Sequence, residues 1–384
     1  MKCIVNGKIV LPNQVLEDYA IIFDQKIQSI VPAKEIDNAD YEIIDAKGKF
    51  VAPGLVDMHI HGYLGKDVSD GDEEGIRVMA AGIIQNGVTS WCPTTMTVSK
   101  QEIEAAFDSV RNVKNCGEYY GARILGVNSE GPFINPAKKG AQAEEHILRP
   151  DADFIIKHKD IVKLFTVAPE VDGAVECIEK VSQDTDVLVS MGHTNAGFDE
   201  ANAGIKKGVR HITHLFNAMT ALSHRSPGVV GAALASNDVS VELIADTFHV
   251  NQGLFGLIAK IKGSKLCLIT DCIRAGGMPD GDYTLGGQPV HKEGIQCLME
   301  DGTIAGSVLN LNQAVRNLYR NSALEFYEAI ACASLNPAKA LGSDKEIGSL
   351  EVDKRADMII TDESMDIEMT ILDGEIRYSK GEVL

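Results

Sequence analysis

Two histidines one residue apart, His59 and His61, end an apolar run in this chain of 384 residues. On a β-strand that spacing puts both imidazoles on one face, where their nitrogens can converge on a metal ion. Glu130, His193, His214 and Asp271 each end a further apolar run and are followed by a turn-prone element. Glu130, His193 and His214 make a two-nitrogen, one-carboxylate set that leaves a divalent metal one open position for water. Asp271 stands outside that set and is the candidate proton carrier, taking a proton from the water and delivering it to a leaving nitrogen. A capping carboxylate or a hydrogen-bonded histidine would explain any one of these residues, but not all of them at the same end of successive strands. Cys272, beside Asp271, has no histidine tied to it by sequence and reads as packing.

Such residues need a scaffold that gathers strand ends. Short apolar runs alternate with helical stretches between residues 50 and 271, the texture of repeated βα units around a parallel sheet. The predicted strands are Phe50 to His61, Val88 to Pro93, Ile124 to Glu130, Val162 to Ala168, Val187 to His193, Val209 to His214, Val239 to Asp246 and Lys265 to Asp271. Eight strands are what a closed TIM-type (β/α)8 barrel requires, and barrel enzymes keep their chemistry at the carboxyl ends of the strands. Amphipathic stretches such as Gly75 to Asn86 and Gln101 to Val113 supply crossovers. Gly276 to Gly302 reads as an inserted hairpin, followed by helices over Asn312 to Asn321 and Phe326 to Ser334. Residues 1–50 and 346–384 alternate apolar and polar, with Asp373-Gly374 as a hairpin turn; they are expected to join into one small β-sandwich domain beside a 51–345 barrel.

The formal charge of −19 sets the protein against nucleic acid and anionic membrane surfaces. An anionic small molecule would need a local cationic pocket. The stretch after His214 offers one: Asn217, the backbone at Ala218, and Arg225 supply an amide, N–H groups and a guanidinium. His249, past the seventh strand, is either a second polar contact or a core residue. Eight cysteines without a C-x-x-C pair read as reduced thiols of a cytoplasmic protein, and no run approaches the length of a membrane span.

At these residues the chain resembles the N-acetylglucosamine-6-phosphate deacetylases of the amidohydrolase superfamily. Pro53-Gly54-Leu55-Val56-Asp57-Met58-His59-Ile60-His61-Gly62 is shared with the whole superfamily; Glu130-Gly131-Pro132-Phe133 and His214-Leu215-Phe216-Asn217-Ala218-Met219 are particular to these deacetylases. Gly192-His193-Thr194 and Thr270-Asp271 add to the resemblance, which runs nearly the whole length. It implies a divalent metal, commonly zinc or iron, on Glu130, His193 and His214, with Asp271 as acid/base. It also implies that Asn217, Ala218, Arg225 and His249 hold an amino sugar phosphate, with the arginine reaching across a homodimer. His59 and His61 leave room for a second metal. Gln142 stands where some members carry a histidine that polarises the acetyl carbonyl, a task a second metal could share. The rival readings are deacetylation of the galactosamine epimer, opening of a cyclic amide, for which Lys163 on the fourth strand would have to be carboxylated, and a barrel without catalysis.

Overall fold

A computed structural model describes residues 1–116 and 120–381. Eight parallel strands form the barrel: β1 (Leu55–Ile60), β2 (Val88–Thr95), β3 (Val127–Glu130), β4 (Val162–Val167), β5 (Leu188–Met191), β6 (His211–Ile212), β7 (Ser240–Ile244) and β8 (Leu266–Ile269). Each pairs with the next in chain order. Just beyond β8 the ring meets β1, where Asp271 N donates to His59 O and His61 N donates to Cys272 O, both at 2.8 Å. Buried on both faces, these strands are rich in apolar residues interrupted by small polar ones such as Thr89, Ser90, Asn128 and Ser129, so they stand out from the polar segments between them.

Helices fill the crossovers. Lys100–Cys116 buries Ile103, Ala106, Phe107, Val110 and Val113 at helical spacing and opens with a reciprocal Ser99–Glu102 cap. Glu73–Ile83, Ala174–Asp184, Phe198–Lys207, Gly228–Ala235 and Phe255–Lys262 repeat the arrangement around the barrel.

Strands from both ends of the chain make a separate eight-stranded sheet. Ile4, Ile21, Phe23, Ile27, Met358 and Ile371 belong to its own apolar core. The turn at Asp373 and Gly374 has φ of 51° and 77°, the left-handed pair that a two-residue hairpin demands.

The first predicted strand, Phe50 to His61, is in fact two. Phe50–Pro53 pairs with Met358–Thr361 in the terminal sheet, and Leu55–Ile60 enters the barrel. Gly54 makes the break: a Cβ there would lie 2.2 Å from the Thr89 hydroxyl, so only glycine lets the chain pass. The predicted hairpin insertion is three strands, Gly281–Leu285, Gln288–Glu293 and Gln296–Leu298. The helix expected over Phe326 to Ser334 stops at Ala331, and a second one runs over Leu335–Ala340.

Candidate active site

Three of the chemistry-bearing residues lie just past the ends of their strands. β5 stops at Met191, β6 at Ile212 and β8 at Ile269, each two residues short of His193, His214 and Asp271. Those three residues turn left-handed, with φ of 47°, 27° and 51°. For residues with a Cβ such backbone costs on the order of 1–3 kcal/mol each and gathers at working sites. Here it swings the side chains inward over the barrel, where they meet Glu130 from the end of β3.

The result is one buried cluster. Glu130 Oε1 lies 3.1 Å from His193 Nε2 and 2.9 Å from His214 Nε2, while its Oε2 lies 3.2 Å from His61 Nε2. Asp271 Oδ1 is 3.5 Å from His59 Nε2 and 3.3 Å from His61 Nε2. Two triads emerge, His59–His61–Asp271 and Glu130–His193–His214, each with its ligand-type atoms mutually within 4.8 Å. The Glu130 carboxylate faces both.

The donor set suits cations. His59 and His61 Nε2 face each other at 3.2 Å, and His193 and His214 Nε2 at 3.1 Å. Paired nitrogens of this kind offer lone pairs to a common point, which a metal satisfies better than a hydrogen bond between them. Burial pulls the His59 and His61 imidazoles down, yet the surrounding carboxylates outweigh it and hold them at about 9 and about 10. Burial also pushes Glu130 up, but His193 and His59 override it and keep the carboxyl well below its usual range. In this electrostatic field positive charge is strongly favoured.

A cavity of about 350 Å³ opens on the cluster, lined by His61, Glu130, Gln142, His193, His214, Asn217, Ala218, His249 and Asp271. His249 is thereby a polar contact of the cavity rather than a core residue, its Nδ1 held 2.6 Å from Asp246 Oδ2. Gln142 is spent on scaffolding: its Nε2 donates to Glu130 Oε2 at 2.6 Å and its Oε1 accepts from Thr97 N at 2.6 Å. Arg225 does not line this cavity; it sits in an exposed run from Ala221 to Ser226.

Residues 50–377 match the amidohydrolase family. The chain belongs to that family. It is 36% identical to an N-acetylglucosamine-6-phosphate deacetylase of Bacillus subtilis over 96% of this chain and 95% of the relative. To an N-acetylgalactosamine-6-phosphate deacetylase of Escherichia coli O157:H7 it is 34% identical, over 87% of this chain and 89% of the relative. The crystal structure of N-acetylglucosamine-6-phosphate deacetylase from Pasteurella multocida superposes with a TM-score of 0.93 at 29% identity, covering 99% of this chain and 100% of that one.

Around its cluster this amidohydrolase carries residues that the motif reading passed over. Glu242, in the middle of β7 and fully buried, places Oε2 2.9 Å from His59 Nδ1 and Oε1 3.1 Å from His211 Nε2. Burial raises this carboxyl, but the two imidazoles outweigh that and hold it far below its usual range. Asp57 accepts from the Thr270 hydroxyl at 2.6 Å and ties β1 to the residue before Asp271. The available signal was a lone carboxylate inside an apolar strand, Val241-Glu242-Leu243, which has no business in a barrel wall unless it is paired. Cys272 is buried with its thiol pushed well above the ordinary range by burial, as packing requires. Lys163 lines a depression with Ser182, Thr185 and Lys206, not the cavity that holds the cluster.

Proposed function

We propose that the protein hydrolyses the N-acetyl group of N-acetylglucosamine 6-phosphate, releasing acetate and glucosamine 6-phosphate. The observation that carries the reading is the convergence of Glu130, His193, His214 and Asp271 on one cavity, in a chain that aligns nearly end to end with deacetylases of this kind.

Glu130, His193 and His214 would hold a divalent ion, zinc or iron, and His59, His61 and Asp271 a second. Such an ion supplies Lewis acidity, lowering the pKa of water and drawing electron density from an amide carbonyl. Asp271 carries the proton. Burial raises its carboxyl, but His59 and His61 outweigh burial and hold it below the usual range, so it is ionised and ready to accept. Its Oδ1 faces the two imidazoles, and Oδ2 makes no hydrogen bond within the described residues. Asp271 takes a proton from the attacking water and returns it to the amine nitrogen as the C–N bond breaks, leaving acetate and a free amine. Glu130, between four imidazoles and the Gln142 amide, positions and does not exchange protons.

Asn217, the Ala218 backbone and His249 line the cavity where the sugar phosphate would lie. Arg225, exposed and away from its own cavity, would serve the site of a second subunit in a homodimer. Eight free cysteines suit a reducing cytoplasm, and no helix among the described residues is long and apolar enough to cross a membrane. The place of Lys163 outside the cavity speaks against the cyclic-amide reading. The galactosamine epimer differs from the favoured substrate at one hydroxyl and is the second substrate to try, given the E. coli relative.

The test is acetate and amine release from N-acetylglucosamine 6-phosphate, from its galactosamine epimer and from the unphosphorylated sugar. Preference for the first, with a sharp loss on removing the phosphate, is expected; equal rates on all three would overturn the assignment.

A further inference from the structure

We infer that Glu242 is a positioning residue that sets the two triads in register, and that loading of the His59–His61–Asp271 position depends on it. The inference rests on reading the cluster as a metal centre.

Glu242 touches both triads at once. Its Oε2 lies 2.9 Å from His59 Nδ1, a member of one triad, and also 2.9 Å from the backbone N–H of His214, a member of the other. Its Oε1 lies 3.1 Å from His211 Nε2, and His211 Nδ1 lies 2.6 Å from Ser240 Oγ. These groups form a buried chain from Ser240 on β7 through His211 on β6 and Glu242 on β7 to His59 on β1. A carboxylate on the far nitrogen of a ligating imidazole fixes its tautomer, so that the near nitrogen keeps its lone pair, and raises its basicity.

The other imidazoles of the cluster lack this support. His193 Nδ1 meets a backbone carbonyl, that of Lys138 at 2.9 Å, while His61 Nδ1 and His214 Nδ1 are buried without a hydrogen-bond partner. Among the four, His59 alone has a carboxylate behind it. Removing the charge at Glu242 should therefore act first on the position that His59 serves. His214 feels it only through its backbone.

Glu242→Gln keeps the shape of the group. Its carbonyl can still accept from His59 and from the His214 N–H, and its NH2 can face a His211 whose proton has moved to Nδ1. The experiment strips the protein with a chelator, dialyses it against buffered Zn2+, and counts ions bound per chain; Co2+ absorption spectra report each ligand environment. Wild type is expected to take two ions. In Glu242→Gln one binding step should lose about 10–100-fold in affinity while the other holds within a few-fold. Ser240→Ala, which leaves the carboxylate and every ligand in place, should weaken the same step a few-fold, and it decides the matter if Glu242→Gln does not fold. Unchanged binding steps in the folded variants would overturn the inference, even with a lowered melting temperature of the metal-free protein, since that is what a purely structural carboxylate would give. A wild type that binds only one ion would also overturn it. One that binds none would sink the metal reading itself, and this inference with it.

Discussion

The terminal sheet and the mouth of the barrel are both buried, yet they are built from opposite materials. The sheet's core is apolar throughout, with Ile4, Ile9, Phe23, Val51, Met358 and Ile371 packed together, and any well-filled arrangement of such groups would serve. The barrel mouth buries His59, His61, Glu130, His193, His211, His214, Glu242 and Asp271 within one connected network, with left-handed backbone at three of them. Left-handed backbone and buried ionisable groups make this geometry costly to the fold. The sheet contributes stability, and the mouth draws on it to hold chemistry in place.

The most severe way to probe that division is Asp271→Asn. The backbone there is pinned by Asp271 N to His59 O and by Ser307 N to Asp271 O, both at 2.8 Å, so the isosteric amide should keep its position. Turnover should fall by about 10²–10⁴, the usual worth of a positioned acid/base, with the melting temperature little changed. Steady-state kinetics beside a thermal melt read both; unaltered turnover would remove Asp271 from the proton path. The mirror image is Phe23→Ala in the sheet core. It should cost about 3–5 kcal/mol in a denaturant titration and leave the turnover of the folded fraction intact. If turnover fell in parallel, the two regions would not be separable.

The same contrast explains what could be read without coordinates. The barrel strands were legible because a parallel sheet with both faces covered is rich in apolar residues, and the ligand positions stood out as histidines and carboxylates closing those runs. The expected strands overrun by two residues at His193, His214 and Asp271, because nothing in the side-chain pattern reports a left-handed turn in a residue that is not glycine. The break at Gly54 was hidden for a related reason: Phe50 to His61 is apolar on both sides of it, and only the approach of Thr89 makes glycine necessary. Glu242 and His211 escaped because their partners are distant in sequence, and Gln142 gave no hint that its amide would be committed to Glu130 and Thr97. Arg225 was legible as a cation, but its place in space was not.

Metal removal gives a smaller effect per ion and joins the two regions through a single observable. If the cluster binds cations as its donor set suggests, stripping them should cost the fold about 3–4 kcal/mol for each ion relative to protein held at 100 to 1,000 times the dissociation constant. Scanning calorimetry with and without chelator measures it. The same difference in Phe23→Ala would mean that the sheet and the mouth contribute independently, and a lost difference would mean that the weakened sheet no longer holds the triads together.

The smallest expected effect lies where the two regions meet. Arg123, on a short strand beside β2, holds Asp357 Oδ2 at 2.6 Å and Asp373 Oδ1 at 2.7 Å, and both aspartates flank strands of the terminal sheet. Asp357 is buried, so Arg123→Met leaves a carboxylate facing an apolar chain; its side chain keeps a bond from Asp373 N at 2.9 Å, which softens the loss. The Asp373 side chain is about a third exposed and keeps its existing pair with Arg355 at 2.8 Å. The substitution should therefore cost about 2 kcal/mol, below the ~3–5 kcal/mol of a fully buried pair. Because the seam touches neither triad, zinc stoichiometry and turnover should stay at wild-type values while the denaturation midpoint falls. A variant that lost turnover with its stability would show that the sheet holds the barrel mouth in shape through this seam, and the division of labour between the two regions would fail there.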